Sequence, residues 1–280
     1  MTRALIVGAS SPLGTAIAAR FAAEGHDVVG ISRSGQHGAH PVDVADRTAI
    51  AELLTREQPK VAVYLARPEL PEAQAGSAET IERSVCTLRD FATLAEAHGL
   101  EQLVFASSAA VYGTDAQRPL TEDSPTPAPG AYAQLKLRSE HALAEVSSQT
   151  DLRCTSFRIF NVYGPGFATS LVNRLICAAN GGEAPTVFNT QRFVRDYVRV
   201  DDVATVFAAA TLAKPASGAI NIGTGVGTSN RELLALIPDA PWIPGTPLEI
   251  ASMSVAEISR LRELLNFVPP ARLAESLEHL

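Results

Sequence analysis

The stretch Ala4-Leu5-Ile6-Val7-Gly8-Ala9-Ser10-Ser11-Pro12-Leu13-Gly14 decides the fold. Four apolar residues read as a buried strand, Gly8 as a tight turn, and Thr15 to Glu24 as a helix of 3.6-residue period. Strand, glycine turn and helix in that order aim backbone N–H groups and a helix N-terminus at an anion. In a parallel sheet this is where a dinucleotide places its pyrophosphate, with Gly8, Ser10, Ser11, Pro12, Leu13 and Gly14 around it. Ser11 stands where the usual fingerprint has its middle glycine.

Outward from this unit the same alternation repeats. Apolar runs at Ala4–Val7, Asp27–Ile31, Val61–Leu65, Gln102–Phe105, Thr155–Phe160 and Ala219–Ile222 are separated by helical patterns. Those patterns cover Thr15–Glu24, Arg47–Arg56, Ala78–Ala97, Ala131–Val146 and Val200–Leu212. The expected fold is α/β, a Rossmann-type doubly wound parallel sheet that places its ligand at the carboxyl ends of the strands. The alternation breaks between Gly166 and Arg192, and again after Thr228, where Pro238, Pro241, Pro244 and Pro247 precede a helical stretch near Val255–Leu265. Residues 1–165 and 194–227 are therefore assigned to a dinucleotide-binding domain, and 166–193 and 228–280 to a small discontinuous substrate-binding cap.

Composition narrows the class. With 280 residues, 46% of them apolar and 19% charged, the chain is neither disordered nor a coiled coil nor a disulfide-stapled module. A net charge of -7 without any basic cluster argues against nucleic acid and anionic membrane surfaces as partners. The longest apolar stretch, Ala204 to Ala213, is far below the roughly 20 residues that span a bilayer. The N-terminal apolar run is too short for a secretory signal, so the expected location is the cytoplasm. Cys86, Cys154 and Cys177 are too widely spaced for a disulfide framework or a metal site and are expected to be reduced, buried thiols.

The second strand ends in Ser32-Arg33-Ser34 with no acid. A carboxylate there would suit the ribose hydroxyls of NAD, whereas a guanidinium between two hydroxyls suits a 2′-phosphate. This favours NADP(H), with NAD the alternative. Asp43, in Val42-Asp43-Val44, is placed to receive the adenine amine.

At the chemical end, Tyr132 is the one tyrosine of five with a lysine, Lys136, four residues later. That spacing puts both on one helix face. An ammonium and a cationic nicotinamide ring both favour phenolate over phenol, which makes Tyr132 a candidate general acid/base and Lys136 its partner and ribose contact. Ser108, where the strand Gln102–Phe105 runs out toward the ligand edge, is the candidate for orienting a substrate oxygen.

These residues together resemble the extended short-chain dehydrogenase/reductase superfamily, the NAD-dependent epimerase/dehydratase family that acts mainly on nucleotide sugars. The resemblance covers nearly the whole chain. It rests on the glycine turn, on Ser108 before Tyr112-Gly113, and on Tyr132-Ala133-Gln134-Leu135-Lys136. Further support comes from Arg158-Ile159-Phe160-Asn161-Val162-Tyr163-Gly164-Pro165-Gly166, Arg195-Asp196-Tyr197-Val198-Arg199-Val200-Asp201-Asp202 and Asn221-Ile222-Gly223-Thr224-Gly225. The resemblance implies that Val44, Leu65, Ala66, Ser84, Ala106, Phe160 and Val162 line the cofactor, and that Ala109, Asn161 and Arg195 meet the substrate, Arg195 at a diphosphate. It also implies a homodimer through the helices Ala78–Ala97 and Ala131–Val146. Asp201 and Asp202 read as helix N-terminal residues rather than catalytic ones.

The departures from the family pattern bear on the reaction. Ser11, Arg33 and Ser84 replace a glycine, an acid and an amide, and Pro247-Leu248-Glu249-Ile250 stands where many members carry a second arginine for the diphosphate. Ala109 and Ala110 occupy the positions of the dehydratases' acidic pair, and methyl groups transfer no protons, so a 4,6-dehydratase is not expected. Two enzymes share Ser108, Tyr132 and Lys136: an NADPH-dependent ketoreductase, which the second strand favours, and an NAD-dependent nucleotide-sugar 4-epimerase. A protein that senses NADP without turnover is a third reading, and has no need of that triad.

Overall fold

The computed structural model describes residues 2–66, 77–113, 116, 118–212, 217–246 and 251–277. The segment 247–250, where the second arginine was sought, lies outside them. Ala4 to Val7 are each no more than 1% exposed, and a strand buried on both faces belongs inside a parallel sheet covered by two helix layers. This strand is β1 (Arg3–Val7), followed by α1 (Pro12–Ala23), β2 (Asp27–Ser32), β3 (His40–Pro41) and α2 (Arg47–Glu57). Next come β4 (Val61–Tyr64), α3 (Ala78–Ala97), β5 (Gln102–Ser108), a 3-10 turn (Ala109–Tyr112), α4 (Gly130–Gln149) and β6 (Arg153–Ile159). The chain continues through β7 (Asn161–Tyr163), α5 (Leu171–Ala179), β8 (Thr186–Val187), β9 (Phe193–Arg199), α6 (Val200–Leu212) and β10 (Gly218–Ile222). It closes with β11 (Gly227–Ser229), α7 (Asn230–Leu236), β12 (Ile243–Pro244), β13 (Ser252–Ser254), α8 (Ser259–Leu265) and α9 (Leu273–Leu277).

The large sheet has the order β10-β6-β5-β4-β1-β2-β3, and every pairing in it is parallel. Order reverses beside β1, so the crevice at the carboxyl ends of β1 and β4 is the switch point where an open sheet takes its ligand. One core contains Phe21, Phe157 and Phe207, under α1 and α6. The other, on the opposite face, contains Leu53, Leu88 and Phe91, under α2 and α3. Ser11, Asp46 and Ser77 cap α1, α2 and α3 by accepting backbone N–H groups, which fixes where three of these helices begin. No helix among the described residues is long and apolar enough to cross a membrane.

All six expected strands are present. The short β3 and the second sheet were not foreseen. In that sheet β9 pairs in parallel with β7 and β13 and antiparallel with β11. Two elements lie across the proposed division of the chain. β9 pairs with β11 and β13, from segments expected in the cap, and with β7, from the dinucleotide-binding segment, while α8 packs its buried Leu261 into the core beneath α6. The C-terminal stretch from Val255 also turns helical only at Ser259, after β13 and an extended segment. Cys154 is buried as expected, but Cys86 is half-buried and Cys177 is exposed at the end of α5, because α5 buries Val172, Leu175 and Ala178 instead.

Candidate active site

Two glycines shape the turn after β1. Gly8 has φ +91°, and a Cβ there would press on the Ala66 backbone at 3.0 Å. A Cβ on Gly14 would meet the Gly8 carbonyl oxygen at 2.5 Å, so only glycine lets α1 start so close to the turn. Ser11 has an ordinary extended backbone; its hydroxyl donates to the Gly8 oxygen at 2.8 Å and accepts from the Gly14 N–H at 3.1 Å. A glycine is therefore not needed there, and the serine spends its side chain on capping the helix. Leu65 packs against the core as it leaves β4, beside the turn.

The second strand delivers a cluster of hydroxyls to the same edge. Ser34 donates to the Ser10 hydroxyl at 3.4 Å, lies 3.5 Å from the Ser32 hydroxyl, and Ser32 accepts from the Gly35 N–H. Arg33 is exposed between the two serines. Asp43 accepts the Ala45 N–H at 3.0 Å through one carboxylate oxygen, and Val44 packs against the α2–α3 core. Ser84, on α3, donates its hydroxyl to the Thr80 carbonyl at 2.7 Å, so its proton is spent within its own helix. The structure thus fits a dinucleotide: a glycine turn at a switch point, a helix N-terminus, and a polar edge on β2 for the adenosine ribose.

The chemical end is built from β5 and α4. Lys136 is 6% exposed and donates to the Ala106 carbonyl at 2.7 Å, with its ammonium 4.7 Å from the Phe105 ring centroid and 5.7 Å from the Tyr132 centroid. Tyr132 is 49% exposed, the only such tyrosine among the described residues. Ser108 ends β5, and its hydroxyl accepts the Ala110 N–H at 3.2 Å, starting the 3-10 turn. Ala109 is buried beneath it, and Phe160 is buried against Tyr112, so Phe160 can offer a cofactor its backbone and not its ring.

Beneath this lies a polar network that sequence reading passed over. Glu140 is buried one turn beyond Lys136 and accepts hydrogen bonds from Ser107 and from Arg158, the latter at 2.7 Å. Arg158 also donates to the Tyr112 hydroxyl at 3.0 Å, and Tyr112 donates to Asn221 at 2.7 Å. Burial pushes the Tyr112 phenol up to about 12. For Arg158, burial alone would lower the guanidinium, but the Glu140 carboxylate more than offsets it and holds the charge in place. The signal in the sequence was helical spacing: Tyr132, Lys136 and Glu140 recur every four residues on one face.

The substrate side is set by β9. Arg195 donates to the Val194 and Ser252 carbonyls and the Ser252 hydroxyl, each at 2.9 Å, and lies over the Phe193 ring. Burial depresses its affinity for a proton, and among the described residues no carboxylate pairs with it. A half-buried guanidinium held only by neutral oxygens favours an anion beside it. Next to it, Asp196 is fully buried and accepts the N–H groups of Thr224, Gly225 and Ala256 and the Thr224 hydroxyl. Burial pushes the Asp196 carboxyl up, and these four donors act against that. The Asp196 carbonyl accepts the Asn161 amide at 3.1 Å, which ties the Asn161 side chain to β9.

Comparison with known proteins is consistent along the chain. The model of the NAD dependent epimerase/dehydratase family matches residues 4–223. The UDP-glucose 4-epimerase of Mycolicibacterium smegmatis is 31% identical over 98% of this chain and 96% of its own. Among solved structures, the UDP-glucose 4-epimerase of Thermotoga maritima with UDP-glucose superposes with a TM-score of 0.86 at 21% identity, covering 99% of this chain and 96% of that one. The enzyme of Stenotrophomonas maltophila, with bound NAD and formylated UDP-arabinopyranose, gives a TM-score of 0.85 at 22% identity over the same shares. At such identities the two structures speak to the fold.

Proposed function

The chain belongs to the NAD-dependent epimerase/dehydratase family, and we propose that within it the protein is a nucleotide-sugar 4-epimerase with Tyr132 as its general acid/base. The observation that carries this reading is the placement of Tyr132 and Lys136 on one face of α4, against the strand that ends in Ser108. The whole-length relative named as a UDP-glucose 4-epimerase supports epimerase over the ketoreductase that the second strand had favoured. A bound nicotinamide supplies the acceptor and donor of hydride. The protein does the rest: Ser108 orients the sugar oxygen, Tyr132 takes its proton and gives it back, and Lys136 favours the phenolate and holds the ribose. Arg195 receives the substrate diphosphate, and Asn161 lies beside the phosphosugar. A homodimer through α3 and α4 belongs to the same reading.

One observation favours the second reading, an NADPH-dependent ketoreductase on a keto-sugar: Arg33 and the hydroxyls of Ser10, Ser32 and Ser34 form an edge suited to a 2′-phosphate. The deciding experiment is to denature purified protein and identify the released nucleotide, then titrate NADH and NADPH into the emptied enzyme. Retained NAD, with interconversion of UDP-glucose and its C4 epimer, supports the epimerase. An enzyme that binds NADPH far better than NADH and consumes it with a keto-sugar overturns it in favour of the reductase.

A further inference from the structure

Beneath the catalytic pair, α4 is fastened to β5 by consecutive residues. Lys136 donates to the Ala106 carbonyl, and Glu140, one turn on, accepts from the Ser107 hydroxyl. Ser108 follows on the strand, and Tyr132 lies one turn before Lys136 on the helix. The two bonds therefore set the register that brings Tyr132 and Ser108 to the same edge. A lysine and a glutamate four residues apart on a helix lie within reach of one another. Here the Glu140 carboxylate is instead taken by Arg158, through Nε at 3.1 Å and Nη2 at 2.7 Å. Both side chains are buried, at 8% and 7% exposure, so their charges are weakly screened by solvent.

We propose that Glu140 and Arg158 act as a charge-balanced positioning pair: Arg158 holds the carboxylate off Lys136, so that Glu140 fixes the helix without opposing the lysine's field at Tyr132. The surrounding elements bring few other charges to this point. On α4 itself, Arg138, His141 and Glu145 are exposed, and from α3, Glu82 and Arg89 face Arg138 and Glu145 respectively at the outer surface. β5 contributes no ionisable group, β6 adds Arg158, the buried thiol of Cys154 and, at its exposed start, Arg153, and the 3-10 turn adds Tyr112. Burial pushes up both that thiol and the Tyr112 phenol, so both stay neutral. Glu122 accepts the Asn221 N–H through its carboxylate, and its backbone carbonyl accepts Arg158 Nη1 at 3.0 Å. The pair rests on the reading of Tyr132 as the acid/base.

The size of the effect follows from the spacing. Eight residues of helix separate Glu140 from Tyr132 by about 12 Å, and one unbalanced charge at that distance moves a titration by up to about one pH unit at an effective dielectric constant near 20. Phenolate absorbance reads this without any substrate. Each background is measured against the same background carrying Tyr132→Phe, so the difference belongs to Tyr132. The other four tyrosines are all pushed up by burial. Glu140→Gln, which keeps shape and hydrogen bonding, is expected to lower the Tyr132 midpoint by about 0.5 to 1 pH unit. Arg158→Gln should raise it by a similar amount, and the double variant should return close to the parent.

Single variants that leave the midpoint in place, or move it in the same direction, overturn the proposal. If Arg158→Gln does not fold, Glu140→Gln decides alone. Failure of the functional reading would show elsewhere, as a Tyr132→Phe enzyme that still turns over, and would leave the titration result standing.

Discussion

At the α4–β5 end of the crevice the candidate side chains are backed by buried bonds, whereas at the β2 end they stand exposed on a turn. Lys136 and Glu140 are both under 10% exposed and each has a partner on β5. Arg33, Ser34 and Asp43 lie at the surface, and the serines hold one another at 3.4 to 3.5 Å, the long end of hydrogen bonding. The contrast teaches where the fold commits and where it leaves room. Chemistry shared across a family needs one geometry, and a buried network enforces it. Cofactor choice, in the proposed reading, rests on a few exposed groups, whose replacement leaves the core undisturbed.

The sharpest way to break this comparison is at the committed end. Tyr132→Phe removes one oxygen from an exposed ring, so folding and cofactor binding should be preserved while kcat falls by about 10³-fold. Loss of cofactor binding alongside activity would mean that the residue is structural. On the substrate side, Arg195→Leu should raise KM for a nucleotide sugar by about 10- to 100-fold, because charge-assisted hydrogen bonds to an anion are lost, with a smaller change in kcat. A KM close to that of the parent would place the diphosphate elsewhere.

A third test concerns alkaline stability. Tyr112 and Tyr197 are both pushed up by burial to about 12, above the usual phenol range. A phenol whose proton is held more tightly in the folded state stabilises fully below its unfolded value, near ~10, and that stability is lost as pH rises through the folded value. Tm should therefore fall steeply between about pH 10 and pH 12, and Tyr112→Phe should make the fall shallower. An unchanged slope would show that other groups govern it. The smallest effect is expected at the exposed end: Arg33→Ala should weaken NADPH by about tenfold and leave NADH nearly unchanged. Equal losses for both would remove the 2′-phosphate reading of Arg33.

Most of the large sheet was legible because its strands are short apolar runs and its helices are periodic. The second sheet was not. β9 carries Arg195, Asp196 and Arg199 among its seven residues, and its pairing with β7, β11 and β13 depends on contacts distant in sequence. At the site, Tyr132 and Lys136 were visible as a rare spacing and Ser108 as a strand end. Glu140 and Asp196 were not singled out, since an acid in a charged-looking segment reads as solvent-facing until its buried partners are known. Burial of a carboxylate is a property of the assembled layers, and single-sequence periodicity does not report it.

The proposed epimerase moves a hydride out of and back into the same sugar. The direct measurement is to incubate the purified enzyme, with NAD, on UDP-glucose and to follow the C4 epimer by chromatography while recording nicotinamide absorbance. The account predicts that the two epimers approach equilibrium with no net gain or loss of reduced cofactor. No epimer, together with stoichiometric consumption of NADPH on a keto-sugar, would contradict it.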